Sequence, residues 1–334
     1  MGDLAPRAAG GSPDLPETSA FTAMADRLGA YSDLFRVGNS ITGLVGVGVG
    51  ALVVNGMEIS IDQGVTITSY GLSVMCFMFG WNAYNDITDI ETDKSNRPER
   101  PLPSGRLTLN EASNAMRGSL ILSVLFLVIG ATKLTDSIMD EEAIVSAGIW
   151  LIAIFLLISY EGVSGNNGLK HRGLAGNTAI AAAIGMDVLF GASAVSGTTD
   201  PKVISLAIMA ILFSLARELI KDIEDMEGDI DRNTLPRSVG VDNARSIAWA
   251  ITLAAFVSLF LPFILEVFPI EHAILVSPGG LILMLVKSKL FLGEDRAAQQ
   301  LNVRIQGILA RIAISVSRSF ADCEDDLILF DKDL

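Results

Sequence analysis

The chain has 334 residues, half of them hydrophobic and only 19% charged, with a formal net charge of −14. A soluble domain of this length carries more charge and a lower mean hydropathy, so a wholly water-exposed fold is excluded. The acidic balance argues against nucleic acid as a partner. The two cysteines and two histidines, Cys76, Cys323, His171 and His272, offer neither a disulfide framework nor a metal-binding spacing.

Residues 1–30 contain Gly, Pro, Ser and Asp without an apolar stretch, and read as a disordered lead rather than a secretory signal. A surface helix is expected over 21–36. Apolar runs of membrane-spanning length then recur at 37–54, 65–84, 115–132, 143–160, 177–196, 202–219, 246–267 and 270–287. Gly43, Gly46, Gly48 and Gly50, and Ala179 with Ala181–Ala183, lie inside such runs, as expected where membrane helices approach closely. A weaker ninth run at 298–318 carries Arg304, Arg311 and Arg318 on one side of a helix. Each Arg near the bilayer midplane costs roughly 2.5–3.5 kcal/mol on insertion scales, so an interfacial helix competes with a span there. The expectation is an all-α polytopic membrane protein, multi-pass in the cell membrane, with eight to nine transmembrane helices over 31–320 and an acidic tail over 321–334.

Basic residues set the orientation. Of the 21 Lys and Arg residues up to Arg304, all but Lys133 and Lys202 fall in the N-terminal segment and in alternate connections. That bias places the basic connections in the cytoplasm and the segments 55–64, 135–142 and 266–271 outside.

Directly after the second run stands NDITDIETDKSNRPERPLPSG, residues 85–105. Asp86, Asp89 and Asp93 are spaced i, i+3, i+7, which brings three carboxylates onto one face of a helix. Arg97, Arg100 and Arg106 follow at once. After the sixth run, Asp222, Asp225 and Asp229 repeat the spacing and are followed by Arg232, Pro236 and Arg237. Either cluster alone reads as a solvated helix end. Two copies on one side of the membrane suggest a duplicated half with a site between the halves. Oxygen-only donors suit a hard divalent cation such as Mg²⁺, which binds through carboxylates and substrate phosphates. The interleaved Arg and Lys side chains suit phosphate oxygens. Carboxylate walls, a cationic rim and an apolar helical chamber fit an amphiphile with a diphosphate head and a lipid tail. Metal and cations then stabilise the departing diphosphate while an acceptor attacks the allylic carbon.

NDITDIETD followed by NRPERPLPSG, with DIEDMEGD late in the chain, resembles the UbiA superfamily of intramembrane prenyltransferases, from about Arg36 to Val286. The resemblance implies nine transmembrane helices around a central cavity, two Asp-rich motifs on the cytoplasmic side, and Mg²⁺-bound polyprenyl diphosphate between them. Carried over, Asn82, Asn85, Asp86, Asp89 and Asp93 match the first motif, and Asp222, Asp225 and Asp229 the second. Asn39 resembles the cavity-lining Asn of the first helix. Tyr160 and Lys170 resemble the Tyr and Lys after the fourth helix, and Gly176-Asn177 the start of the fifth. Arg97, Arg217 and Lys221 are added as diphosphate or substrate ligands. The segment RELIKDIEDMEGD most resembles the archaeal ether-lipid branch. That branch is implied to move a geranylgeranyl group from its diphosphate to the sn-2 hydroxyl of geranylgeranylglyceryl phosphate.

The family pattern is not matched everywhere: EGVSGNNGL separates Tyr160 from Lys170 by more than the usual spacing. Tyr160 also fits an interfacial belt aromatic, and Arg217 beside Glu218 also fits a helix-end ion pair. Asp187 lies inside the fifth run, where an acid is functional by default. Alternative readings are prenylation of an aromatic acceptor of quinone, tocopherol or chlorophyll type, and a cation-coupled transporter, whose acids would instead lie at midplane. A CDP-alcohol phosphatidyltransferase would need a DGxxAR signature that is absent.

Overall fold

The computed structural model describes residues 20–162, 168–226, 233–298, 300–301 and 304. Most of the expected ninth run, the acidic tail, residues 1–19, Asp229 and Arg232 lie outside these. Among the described residues all regular structure is helical. The helices are α1 (Ala20–Phe35), α2 (Val37–Asn55), α3 (Ile61–Thr88), α4 (Ile90–Asn96), α5 (Leu109–Leu134), α6 (Glu141–Glu161), α7 (Leu174–Ser193), α8 (Pro201–Glu224), α9 (Leu235–Val239), α10 (Val241–Ile264), α11 (Ala273–Val276) and α12 (Pro278–Phe291).

Polar caps set where the long helices begin. The Ser60 hydroxyl accepts from Gln63 N while the Gln63 side chain accepts from Ser60 N, and Thr108 and Glu111 repeat this capping box at α5. α3 therefore starts before the apolar run at 65–84 and continues past it to Thr88, carrying the first Asp motif on its end. Asp200 accepts from Lys202 N, and Pro201 opens α8. α1 begins at Ala20, inside the segment expected to be a disordered lead. It is held there by Ala30 and Leu34, which bury against Ala83, Leu102, Leu107 and Ala112.

Among the described residues seven helices, α2, α3, α5, α6, α7, α8 and α10, are long and apolar enough to cross a membrane. The expected eighth span at 270–287 is not one helix. A 3₁₀ turn over Ile270–His272 and α11 precede α12, which Pro278 opens. Proline lacks the N–H that would continue the preceding helix and disfavours helical geometry in the residue before it. The outer helices carry the mark of a lipid contact: Ile121, Leu125, Leu151 and Phe155 are exposed, Phe155 by 68%. A side chain that apolar, left in water, is unfavourable by about 1.5–3 kcal/mol, and lipid removes the penalty. The chain is a multi-pass membrane protein.

α3 packs mainly on α5, α7 on α2, α6 and α8, and α10 on α8. Small and hydroxyl side chains make these contacts close. A Cβ on Gly50 would lie 2.0 Å from Val188 O, and one on Gly191 would lie 1.9 Å from Val47 O, so α2 and α7 touch backbone to backbone. Ser73 and Ser123 each donate to the other's carbonyl at 2.8 Å across α3 and α5. Ser146 and Ser193 bond at 2.8 Å across α6 and α7. These contacts place the C-terminal ends of α3 and α8 and the N-terminal end of α7 at the same end of the bundle.

Candidate active site

The two Asp motifs end their helices in the same way. Asp89 caps α3 with φ −96° and ψ 11°, its N–H bonded to Asn85 O at 2.9 Å. Asp225 caps α8 with φ −85° and ψ 0°, its N–H bonded to Lys221 O at 2.9 Å. In the first motif α4 follows α3 directly at Asp89, where Asp93 N–H bonds to Asp89 O at 2.8 Å, and Arg100 bridges Asp86 and Asp93 from one side. A helix C-terminus carries about half a negative charge, so the Asp225 carboxylate is unfavourable unless a cation sits against it, whereas Asp89 stands between the C-terminus of α3 and the N-terminus of α4, ends of opposite sign.

In the first motif, protein cations sit against the carboxylates. Arg36 Nη2 donates to Asp86 Oδ1 at 2.6 Å, and Arg100 Nη1 reaches the same oxygen at 3.2 Å. Arg100 also pairs with Asp93 Oδ2 at 2.5 Å. Asp86 and Asp93 are buried, whereas the Asp89 side chain is 35% exposed. Asp89 lies 3.6 Å from Lys170 Nζ and accepts from Asn85 Nδ2 at 3.2 Å. The other acceptor of Asn85 Nδ2 is Glu161, at 3.1 Å. Lys170 is buried in an ion pair with Glu161.

The segment 168–177 joins the motifs. Lys170 sits in a 3₁₀ turn, Leu169–His171, that packs on the start of α7. Gly173 adopts φ +53° against the backbone of Asn233 and Leu235, where a Cβ would be both strained and crowded. Four residues later Asn177 Nδ2 donates to Asp222 Oδ2 at 2.8 Å. Asp89 and Asp222 are thus connected through a single short run of chain.

Other expected residues are placed less uniformly. Asn82 belongs to the first-motif network, accepting from Arg36 at 3.3 Å and donating to Phe35 O at 3.0 Å and Ser40 Oγ at 3.2 Å. Asn39 is exposed in the first turn of α2, and its side chain makes no hydrogen bond among the described residues. Arg217 Nη2 pairs with Glu218 at 2.7 Å, and Lys221 lies 3.6 Å from the same carboxylate, the helix-end pairing that the sequence left open. Arg97 is exposed at the end of α4 and free of ion pairs among the described residues. Tyr160 is half-buried, one residue before Glu161. Asp187 faces α2, where its Oδ2 lies 3.7 Å from the position of a Cβ on Gly43. Arg36 and Glu161 carry the network without having been singled out as ligands. The signal for Glu161 was the one applied to Asp187, an acid in a membrane helix that requires a partner.

The donor set fits a hard cation in its chemistry: carboxylate oxygens at the ends of α3 and α8. Among the described residues no three acidic, His or Cys side chains are already gathered tightly enough to hold an ion. Asp89 and Asp225, only partly buried at the caps, and Asp222 are the described carboxylates best placed to receive one.

The UbiA prenyltransferase family matches residues 43–307. A digeranylgeranylglyceryl phosphate synthase of Haloquadratum walsbyi is 32% identical over 256 residues, covering 76% of this chain and 82% of its own. The solved structure of a digeranylgeranylglyceryl phosphate synthase superposes with a TM-score of 0.65 at 28% identity, covering 88% of this chain and 99% of that one. A UbiA homologue from Archaeoglobus fulgidus bound to DMAPP and Mg²⁺ shares the fold, with a TM-score of 0.57 at 17% identity over 86% of this chain and 99% of the other. With its paired, capped Asp motifs and this likeness along most of its length, the chain belongs to the UbiA prenyltransferase family.

Proposed function

We propose that this prenyltransferase moves a geranylgeranyl group from its diphosphate to the sn-2 hydroxyl of geranylgeranylglyceryl phosphate, with Mg²⁺ as cofactor and with the site facing the cytoplasm. The observation that carries the reading is the pair of helix ends capped by Asp89 and Asp225 and joined through 168–177. Asp89, Asp222, Asp225 and Asp229 would hold Mg²⁺. Bound there, the metal would neutralise charge developing on the leaving diphosphate.

The remaining chemistry falls to this chain's own side chains. Asn85 and Asn177 orient Asp89 and Asp222 by donating to them, which leaves lone pairs of each carboxylate for the cation. Exposed Arg97 and Arg172 offer donors to the diphosphate and to the acceptor's phosphate. The allylic C–O bond breaks, diphosphate departs, and the sn-2 oxygen attacks the carbon and loses its proton. The apolar spans hold both lipid chains and keep water from capturing the allylic cation. An acceptor with its own phosphate and prenyl chain uses the surplus cations, whereas an aromatic acid needs only one.

The relatives support this acceptor, since the Haloquadratum walsbyi protein carries that name. Mg²⁺ and DMAPP in the Archaeoglobus fulgidus homologue support the cofactor and the diphosphate donor. The test offers geranylgeranyl diphosphate to the protein in nanodiscs with geranylgeranylglyceryl phosphate, 4-hydroxybenzoate or homogentisate, and identifies products by mass. The expected product is the doubly prenylated glyceryl phosphate. Prenylation of an aromatic acceptor, with none of the glyceryl phosphate, would overturn the lipid reading and keep the prenyltransferase.

A further inference from the structure

Building on the metal reading just proposed, we infer that Arg36 is a positioning residue for the first Asp motif, and that Asp86 is an internal anion rather than a metal ligand. Arg36 forms the elbow between α1 and α2 in a left-handed backbone conformation, φ 46° and ψ 53°, which a side chain with a Cβ adopts unfavourably. The elbow is tied to α3 on several sides. Phe35 stacks on Phe79 with ring centroids 4.8 Å apart, and Asn82 Nδ2 bonds both Phe35 O and Ser40 Oγ. From there the guanidinium donates to three side chains in the last two turns of α3: Asn82 at 3.3 Å, Asn85 at 3.3 Å and Asp86 at 2.6 Å.

Arginine has donors only, so a neighbouring amide must turn its oxygen toward it. That constraint fixes Asn85: with Oδ1 against Arg36, its Nδ2 points away, to Asp89 and Glu161. Arg36 thereby sets the hydrogen bond that orients Asp89 without touching Asp89. Asp86 has the opposite character. It is 1% exposed, and one of its oxygens already takes both Arg36 and Arg100. A carboxylate so enclosed offsets two partly buried cations and has little freedom to rotate toward an incoming ion.

The test reads Mn²⁺ binding to the purified protein by electron paramagnetic resonance, with no substrate and no turnover. Asp86→Asn is expected to bind Mn²⁺ within about twofold of the unmodified protein, while Asp89→Asn loses about tenfold or more. Arg36→Ala is expected to weaken binding by about tenfold, the scale of removing a group that orients a ligand, with partial recovery in Arg36→Lys. Should a single variant fail to fold, Arg36→Ala/Asp86→Asn removes both charges of the pair together and is expected to remain weak for Mn²⁺, because Asn85 stays unfixed. Loss in Asp86→Asn equal to that in Asp89→Asn overturns the inference. So does unmodified affinity in Arg36→Ala or in the double variant. An unmodified protein that binds no Mn²⁺ at all defeats the metal reading first, and this inference with it.

Discussion

Asn177 donates to Asp222 across 2.8 Å, from the fourth residue of α7 to the last turn of α8. Asn177 is buried, so its amide has few other partners to choose from, and the bond fixes one side of the second motif. Replacing Asn177 by Leu keeps the volume and removes the donor. Turnover is expected to fall about tenfold, together with a rise in the Mg²⁺ concentration needed for half-maximal rate, since groups that orient ligands act on this scale. Initial rates across a Mg²⁺ titration give both numbers. An unchanged metal requirement would show that Asp222 needs no such support.

Asp89 and Asp225 are the partly buried middle aspartates of the two motifs, each at a helix cap. Asp89→Ala and Asp225→Ala are each expected to lower turnover by at least ~100-fold, the scale of losing an electrostatic stabiliser of a leaving group. Chelation by EDTA should do the same to the unmodified protein, and added Mg²⁺ should reverse it. Full activity in EDTA would remove the metal from the reaction.

The motif aspartates were legible because the i, i+3, i+7 spacing occurs twice, each time at the end of an apolar run and followed by basic residues. Their inequality was not legible. Asp89 caps α3 where α4 begins and Asp225 caps α8, and neither cap position follows from the spacing. Arg36 and Asp86 are 50 residues apart, so no local pattern announces their pairing. Arg100 stood in the basic run after the motif, yet nothing in that run distinguished it from Arg97, which is exposed. Most spans were readable from hydropathy. Pro278 divided the eighth, and the Gly191 contact with Val47 is a property of two surfaces rather than of either sequence.

Lys170, which resembles the family's Lys after the fourth helix, is buried against Glu161, with Asp89 at 3.6 Å. Removing one partner of a buried pair leaves a charge uncompensated, at a cost of about 3–5 kcal/mol. Glu161→Leu is therefore expected to lower the thermal stability of the detergent-solubilised protein more than Lys170→Met/Glu161→Leu does. If Lys170 instead turns to substrate during the reaction, Lys170→Met will raise the KM for the diphosphate with little loss of stability. Melting curves and KM values for the three variants separate these outcomes.

The backbone contact of α2 with α7 leaves no room for one methyl group. A Cβ at Gly191 would meet Val47 O, C and Cα, all backbone atoms that cannot rotate aside. Gly191→Ala is expected to separate the two helices and to abolish a monodisperse peak in size-exclusion chromatography. Gly148→Ala is the control: nothing lies within 4 Å of its Cβ position, and the peak should be retained. Equal behaviour of the two variants would mean that the helices can slide apart without loss.

Orientation can be decided by labelling at the two ends of the bundle. Lys133 of α5 lies 3.6 Å from Asp62 of α3, which marks the end opposite the Asp motifs, and Asp136 is exposed just beyond it. Glu99 is exposed at the motif end. The proposed orientation, argued from the basic bias, has the motif end facing the cytoplasm. With Cys76 and Cys323 replaced, Asp136→Cys is expected to react with an impermeant maleimide in intact cells. Glu99→Cys should react only after lysis. The reverse pattern would put the site outside, away from cytoplasmic diphosphates, and would contradict the proposed access of the substrate. A single cysteine restored at 323 extends the measurement to the chain's end: labelling in intact cells would mean that the segment 298–318 crosses the membrane despite Arg304, Arg311 and Arg318. Protection until lysis would mean that it lies along the cytoplasmic interface, where its arginines remain hydrated.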